Sequence, residues 1–324
     1  MMALGKNIVL IVISLSLSLS QAQSYHNSYV YRRVAPQYIK SSLNLLQARK
    51  NTAHEHGSFD QLNSQRLVMG REEMGRHQLI VAGITRNNGK DLPIMIEHIE
   101  RTVQHFQDYR VVLYENDSED ESKSQLQAWQ NANPRVKIIS ENVGKTKRYG
   151  GDGFGNDLMF LAKARNRYLD AISQNTEYNG FDMLMVVDMD MSYGWDMLGM
   201  YDSFAQINVW DAVCSNGIDT KAGHTYDTFA FRTEAFPEDY LHPDYYSTNV
   251  RTLRKIYPMG GPLISVYSCF GGLAFYKRKA LEDCRYDDNR DDCEHVSLHE
   301  CLREKNQGKI FLNPSQVIRY SHYH

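Results

Sequence analysis

The sequence predicts an α/β fold in which a mostly parallel sheet is flanked by helices. From His77 onward, short apolar runs alternate with longer segments of helical periodicity, which is the pattern of strands joined by crossover helices. A strand is expected at residues 181–188, and its centre, Met183–Val187, is apolar throughout, as in a strand buried on both faces. We therefore expect a single folded domain at residues 77–324.

Before the fourth strand, each predicted strand is followed by a predicted helix. Strands are expected at residues 79–84, 109–114 and 136–140, and helices at about 92–106, 123–131 and 158–173. The apolar spacing of Ile94, Ile96, Ile99 and Val103 predicts a buried stripe on the first helix. Further strands are expected at 211–217, 268–278 and 317–324, and binding loops are expected in the weakly periodic stretch at 226–258.

Composition and charge exclude several classes of protein. With 42% hydrophobic and 23% charged residues, the chain of 324 residues is not a disordered one. Its net charge of -3 gives no basic surface that would gather a polyanion, so we expect no nucleic-acid partner. The 21 tyrosines suit contact with a sugar or a nucleotide, although tyrosine also fills cores and surfaces.

The N-terminus has the pattern of a secretory signal peptide at residues 1–22. Lys6 precedes an uncharged run from Ile8 to Leu19, and Ala22 is suited to be the last residue before cleavage. Because the run is shorter than the roughly 20 residues that cross a bilayer, we expect cleavage. The alternative is an uncleaved signal-anchor, which would keep the chain at a membrane. Residues 23–76 are polar and predict a stem or linker, and the protein is expected in the secretory pathway, in the Golgi lumen or exported.

The cysteines all lie in the C-terminal half of the chain, where export would permit disulfides. They are Cys214, Cys269, Cys284, Cys293 and Cys301. The short, acidic segment between Cys284 and Cys293 makes that pair the first expectation. The alternative, equally weighted, is that most of them are buried thiols.

Two carboxylates, Asp188 and Asp190, follow the predicted fourth strand one residue apart. Ligands of open α/β sheets bind outside the carboxyl ends of the strands, so these acids are expected beside a substrate. Carboxylate oxygens together with substrate phosphates hold Mg²⁺ or Mn²⁺. The alternative is a solvated turn after a core strand.

Polar loops also follow the first two predicted strands, at Thr85–Lys90 and Glu115–Ser122. The second is rich in acids and hydroxyls, which suit contact with a nucleotide and also suit capping of the helix that follows. The helix expected at 158–173 carries an Ala-Arg-Asn run that ends in Arg165 and Asn166.

In this order, these segments resemble those of GT-A glycosyltransferases, and their layout is distantly similar to that of fungal capsule mannosyltransferases. The resemblance implies a nucleotide-sugar donor, a UDP- or GDP-sugar, and a bound Mn²⁺ or Mg²⁺. It places the donor against these residues: Thr85, Arg86, Glu115, Asp117, Arg165, Asn166, Asp188, Gly271 and Gly272. The chain departs from the family's pattern by having Glu115 for the usual first Asp and Asp117 for the usual Gly.

The resemblance also assigns the chemistry. Glu294, at the start of a predicted helix, matches the catalytic acid that serves inverting enzymes as base, while His295 replaces the usual second acid. Asp188, Asp190 and a C-terminal histidine, His322, are implied as metal ligands. His324 stands behind His322 as a second choice.

The function implied is metal-dependent transfer of a sugar from a nucleotide-diphosphate sugar to a hydroxyl of a glycan, glycoprotein or glycolipid. Two alternatives stay open. A nucleotidyltransferase would begin with a Gly-rich basic loop, which Thr85–Lys90 resembles only faintly, and export argues against it. A secreted, non-catalytic carbohydrate-binding protein has no need of Asp188, Asp190 and Glu294, which are all present.

Overall fold

The computed structural model describes residues 62–144, 154–191, 193–220, 223, 225–235 and 257–320, without the side chains of 154–157. The predicted signal peptide, the predicted stem as far as residue 61, His322 and His324 lie outside the described residues. None of the helices in the described ranges has the length and apolar character needed to cross a bilayer.

The described strands form one mixed sheet, which confirms the predicted α/β class. The strands are β1 (Gln78–Thr85), β2 (Asp108–Asn116), β3 (Val136–Glu141), β4 (Met183–Val187), β5 (Ala212–Asp219), β6 (Ile264–Ser265), β7 (Leu273–Lys277) and β8 (Ile310–Tyr320). Their order across the sheet is β3-β2-β1-β4-β7-β5-β8-β6. The last strand begins earlier than the expected residue 317, and the short β6 was not expected from the sequence.

Strand directions bring distant segments together at one edge. β1 to β4 run parallel to one another, whereas β7 lies antiparallel between β4 and β5, and β8 is parallel to β5. The end of β4 therefore meets the beginning of β7, with Val187 opposite Leu273. The N–H of Asp188 donates to the carbonyl of Gly272 at 2.9 Å, so the strand-end acid and the glycine turn are neighbours.

Both faces of the sheet are buried, as the apolar fourth strand predicts. Leu184 and Val186 enter the core on one face, while Met183 and Met185 enter the core on the other. The helices that cover these faces are α1 (Ser64–Met74), α2 (Leu92–Val103), α3 (Ser122–Ala132), α4 (Phe154–Ser173), α5 (Met197–Phe204) and α6 (Glu294–Glu304). Each core is completed by apolar side chains from such helices, for example Ile99 from α2 and Leu298 from α6.

Helix α1 lies within the stretch expected to be a polar stem. It packs on α5 through Gly70, where an added Cβ would lie 1.8 Å from the carbonyl oxygen of Tyr201. Arg66 Nε also pairs with Asp202 Oδ1 at 2.8 Å. The apolar Val68 is exposed, so the helix has no apolar stripe that a sequence pattern could reveal.

Two disulfides are present, Cys214–Cys269 and Cys284–Cys301. The expected Cys284–Cys293 pair is wrong. Cys293 immediately precedes α6 and is buried as a free thiol beside Glu294, whereas Cys301 lies about two turns further along the helix and reaches Cys284.

Candidate active site

A single guanidinium joins the two acids that the sequence assigns to metal binding and catalysis. Arg165, on α4, donates from Nε to Glu294 Oε1 at 2.8 Å and from Nη2 to Asp188 Oδ1 at 3.0 Å. Its side chain is only 5% exposed, so both ion pairs are removed from solvent screening on the Arg165 side. The end of β4 and the start of α6 are thereby fixed relative to each other.

The environment of Arg165 keeps it charged. Burial alone would lower its pKa, but the negative charges of Glu294 and Asp188 raise the pKa well above the usual value. The guanidinium also lies 5.3 Å from the centroid of the Phe270 ring. Its Nη1 is buried without a hydrogen-bond partner in the described part of the chain, so one donor has capacity for another acceptor.

The carboxylate of Asp190 disfavours ionisation of Asp188. Burial is the main cause that raises the pKa of Asp188 to about 7; the charge of Arg165 opposes this rise, and the negative charge of Asp190 adds to it. A cation between two carboxylates would relieve this repulsion, and their oxygens are the donors that Mg²⁺ and Mn²⁺ prefer. These two residues thus fit a metal in part. The described residues contain no group of three or more His, Cys, Asp or Glu able to hold one, and His322 lies outside them.

Glu294 lies at the first position of α6 and is 5% exposed. His295 follows it, with Nε2 3.6 Å from Glu294 Oε1 and its imidazole stacked on Phe270 at 3.7 Å between centroids. Burial lowers the pKa of His295 well below its usual value, so the ring is neutral. Neither of its nitrogens has a hydrogen-bond partner among the described residues.

His299 has a structural role one turn further along α6. Its Nδ1 pairs with Ser268 Oγ at 2.9 Å and its Nε2 with the Tyr276 hydroxyl at 2.9 Å. Burial lowers the pKa of His299 to about 3, which keeps it neutral. These contacts join α6 to β7 beneath the candidate site.

The Gly271–Gly272 turn needs glycine. Both residues have positive φ, +67° and +86°, a region that L side chains rarely adopt. A Cβ on Gly271 would lie 2.1 Å from the carbonyl oxygen of Ser215, which is backbone. The turn therefore packs directly against the backbone of β5 at Ser215.

The loops after β1 and β2 are joined by hydrogen bonds. The N–H of Asn88 donates to Ser122 Oγ at 2.8 Å, and the N–H of Gly89 donates to Asp120 Oδ2 at 2.8 Å. The Asn88 side chain also donates to the carbonyl of Met189, in the Asp-x-Asp turn. The Thr85–Lys90 and Glu115–Ser122 loops and the Asp188–Asp190 turn are thus one assembly at the sheet edge.

Glu115 and Asp117 accept hydrogen bonds from neighbouring residues of this assembly. Glu115 is buried and accepts the N–H of Ser118 at 2.7 Å and the hydroxyl of Ser140. Asp117 has a φ of +49°, the region that glycine favours, which accounts for its place where the family has Gly. Its Oδ1 accepts the N–H of Val143 at 3.0 Å. Nucleotide contact by either residue stays a prediction.

The remaining candidates differ in how they are held. Thr85, at the end of β1, is buried, and its hydroxyl has no hydrogen-bond partner within the described ranges. Arg86 follows it and is half-buried. Asn166 pairs with both backbone groups of Tyr286: its Nδ2 donates to the carbonyl at 2.8 Å, and its Oδ1 accepts the N–H at 3.1 Å. Asn166 therefore fixes the segment before α6, and its nucleotide contact also stays a prediction.

Sequence reasoning missed Asp227 and its neighbour Tyr226. Asp227 accepts the N–H of Gly271 at 2.7 Å, and the Tyr226 ring stacks on Tyr320 at 4.6 Å between centroids. Both missed residues fall in a stretch of weak periodicity, so no signal in the sequence distinguishes them.

A family model described as "Cryptococcal mannosyltransferase 1" matches residues 78–305, which is more than half of the chain. The chain belongs to this family. The family's description is that of a glycosyltransferase, which agrees with the resemblance that the motifs indicated. The matched region contains both acids that Arg165 joins.

Several solved structures are similar to the chain at low identity. S. aureus TarS 1–349 has 12% identity and a TM-score of 0.44, covering 75% of this chain and 60% of that one. A mannosyltransferase, PcManGT from Pyrobaculum calidifontis, in complex with GDP-Man and Mn²⁺, has 14% identity and a TM-score of 0.41, covering 85% and 68%. GalNAc-T7 with UDP, GalNAc and Mn²⁺ has 14% identity and a TM-score of 0.43, covering 76% and 44%. The chain thus spans about three fifths of the TarS fragment, and no curated protein matches it.

Proposed function

We propose that this protein transfers a mannosyl group from a nucleoside-diphosphate mannose to a hydroxyl of a glycan, glycoprotein or glycolipid. The observation that carries the proposal is the buried Arg165, which holds Asp188 and Glu294 together beside the Gly271–Gly272 turn. The description of the family supports mannose as the sugar. The proposal includes a divalent metal and excludes a nucleic-acid partner.

The metal would be Mn²⁺ or Mg²⁺, held by Asp190 and Asp188 with the donor's phosphates, and His322 is the proposed third protein ligand. When bound, such a cation acts as a Lewis acid that neutralises charge on the departing diphosphate. Asp188 keeps one oxygen for this role, since Arg165 takes the other. The raised pKa of Asp188 supports the site, because a cation would return that carboxyl to its charged form.

Glu294 is proposed as the base. A base must be a carboxylate within hydrogen-bond reach of the acceptor hydroxyl. Arg165 fixes Oε1, whereas Oε2 lies 3.9 Å from the Cys293 thiol and keeps lone pairs for the acceptor. As the acceptor oxygen bonds to the anomeric carbon, its proton passes to Glu294 and the bond to the diphosphate breaks. Attack opposite the leaving group inverts the anomeric configuration.

The loops after β1 and β2 are proposed to surround the nucleotide. They present Thr85, Arg86, Glu115 and Asp117, with Arg165 and Asn166 opposite on α4. The unpartnered Thr85 hydroxyl and Arg165 Nη1 support this placement, because buried donors of this kind are ordinarily paired. Gly271 and Gly272 would line the sugar.

The protein is proposed to work in the secretory pathway, in the Golgi lumen or after export. Two disulfides support an oxidising compartment. The proposed organisation is a signal peptide at 1–22, a stem from residue 23 and the catalytic domain to residue 324. The protein would be held at a membrane only if the signal is retained as an anchor.

Nucleotide release tests the transferase proposal. The secreted chain is incubated with UDP- and GDP-sugars and Mn²⁺, with and without a chelator. We expect release from a mannose donor that needs the metal and is lost in Asp190→Ala. Asp211→Asn, a change before β5 where Asp211 accepts the N–H of Lys309, serves as the control. No release from any donor, with the Asp190→Ala variant indistinguishable from wild type, would contradict the proposal.

A separate experiment tests the base. Removing a general base costs on the order of 10²- to 10⁴-fold in rate, so Glu294→Gln is expected to lose transfer by that factor while binding of the nucleotide is retained. NMR of the product is expected to show inversion at the anomeric carbon. Full transfer by Glu294→Gln, or a product with retained configuration, would refute the assignment.

A further inference from the structure

Asp227 lies at the junction between the glycine turn and the proposed base. Its Oδ2 accepts the N–H of Gly271 at 2.7 Å, and its Oδ1 accepts the N–H of Ala230 at 3.2 Å. The other end of the turn is held as well, because the Gly272 carbonyl accepts the N–H of Asp188. Two carboxylate-bearing segments therefore hold the turn, one at each end.

The segment that carries Asp227 is also tied to the start of α6. Arg232, which is 2% exposed, donates from Nη1 to the carbonyls of Phe229 and Phe231 and from Nη2 to Asp292 Oδ1 at 2.9 Å. That same oxygen of Asp292 accepts the N–H of Cys293 at 2.7 Å, immediately before Glu294. Arg232 thus links the segment that carries Asp227 to the start of α6, as Arg165 links the end of β4 to it.

Together these contacts form a closed path around the site. The path runs from Asp227 through Gly271 and Gly272 to Asp188, then through Arg165 to Glu294, and back through Asp292 and Arg232. Asp227 is the link that closes it at the glycine turn. Burial raises the pKa of Asp227, the hydrogen bonds from the Gly271 and Ala230 N–H groups oppose that rise, and the negative charge of Glu294 adds to it.

We infer that Asp227 is a positioning residue for sugar transfer, which holds the Gly271–Gly272 turn at the distance from Glu294 that the reaction requires. The inference rests on the proposed function. Displacing a reacting group by about 1 Å can cost on the order of 100-fold in rate. Loss of the Asp227 contact should therefore lower kcat without weakening nucleotide binding, which is proposed at the loops after β1 and β2.

Asp227→Asn tests the inference, with Asp211→Asn as the matched control. Both changes remove a carboxylate that accepts a backbone N–H, one after β5 and one before it. For Asp227→Asn we expect kcat for mannosyl transfer to fall 10- to 100-fold, the KM for the donor to change less than about threefold, and binding of the released nucleotide alone to be unchanged. Asp211→Asn should keep the wild-type kcat.

Asp227→Glu provides a second variant, because it keeps the charge and moves the carboxylate by one methylene. It is expected to show the same selective loss of kcat, and it carries the test if Asp227→Asn does not fold. Wild-type kcat in both variants, or an equal loss in Asp211→Asn, would overturn the positioning role while the transferase proposal stands. Absence of nucleotide release by the wild type would instead count against the transferase proposal itself.

Discussion

Two regions of the molecule hold their polar groups in different ways. One consists of the loops after β1 and β2, and the other is the surface around β4, β7 and α6. We call the first region the nucleotide half and the second the sugar half, after the ligands proposed for them. The nucleotide half is held by hydrogen bonds of amides, hydroxyls and single carboxylates, such as Asn88 with Ser122 and Gly89 with Asp120. In the second, the sugar half, buried charges are joined in pairs, as Arg165 joins Asp188 and Glu294.

This difference has energetic consequences. A hydrogen bond between neutral groups contributes about 1 kcal/mol, and its loss leaves one polar group unpaired. Removing one partner of a buried ion pair costs about 3–5 kcal/mol, because the remaining charge has no compensation. We therefore expect substitutions in the sugar half to cost more than chemically matched substitutions elsewhere on the same elements.

The largest expected contrast is between two arginines of α4. Arg165→Ala leaves Asp188 and Glu294 uncompensated and should lower the free energy of unfolding by about 3–5 kcal/mol. Arg167, 49% exposed and paired with Glu141, should lose less than about 1 kcal/mol when changed to alanine. Urea denaturation of both variants measures the contrast, and equal losses would show that the buried network is not the stronger one.

A second contrast compares two glycines with positive φ. Gly271→Ala combines a strained φ of +67° with a Cβ placed 2.1 Å from the Ser215 oxygen, and should cost about 2–4 kcal/mol. Gly144, with a φ of +75°, has no atom of the described residues within 4 Å of an added Cβ, so Gly144→Ala should cost only about 1–2 kcal/mol. The unfolding free energies give the comparison, and an equal cost would mean that the turn has room to move.

The smallest expected effect, taken per pH unit, is on the pH dependence of stability. His299, under the sugar half, has a folded pKa of about 3 against about 6.5 when unfolded. Between those values the unfolded chain binds the extra proton, so stability falls on acidification, by at most about 1.4 kcal/mol per pH unit. His299→Gln should flatten this slope below pH 6.5, measured by urea unfolding from pH 4.5 to 6.5.

His77, immediately before β1, has a pKa that is shifted in the opposite direction from that of His299. Its hydrogen bond to Asp182 raises its pKa, so its contribution is complete below pH 6.5 and is lost as the pH rises through the folded pKa. His77→Gln should therefore change the pH dependence only above pH 6.5. A change by both variants in the same window would contradict the assigned shifts.

The fold could be predicted from the sequence wherever periodicity was strong. The apolar strand at Met183–Val187 and the helix that begins at Leu92 were expected and are present. Helix α1 could not be predicted, because it packs through Gly70 while Val68 faces solvent. The pairing of Cys284 with Cys301 could not be predicted either, since it depends on how α6 is placed.

The site was predictable only as separate motifs. The sequence singled out Asp188, Arg165 and Glu294 separately. It could not show that Arg165 contacts both acids, because Arg165 and Glu294 lie more than 100 positions apart in the chain. No sequence pattern marks Asp227, because its importance comes from the Gly271 N–H that the fold brings to it. Local patterns reveal residue types at strand ends, and only the fold reveals which of them share a partner.

The most direct test of this account is a double-mutant cycle on the rate of mannosyl transfer. Asp188→Asn, Glu294→Gln and the double variant are compared with wild type. Because both acids are held by Arg165, we predict that the double variant is no more than about threefold slower than the slower single variant. Rate losses that multiply in the double variant would show that the two carboxylates act independently and would contradict the account.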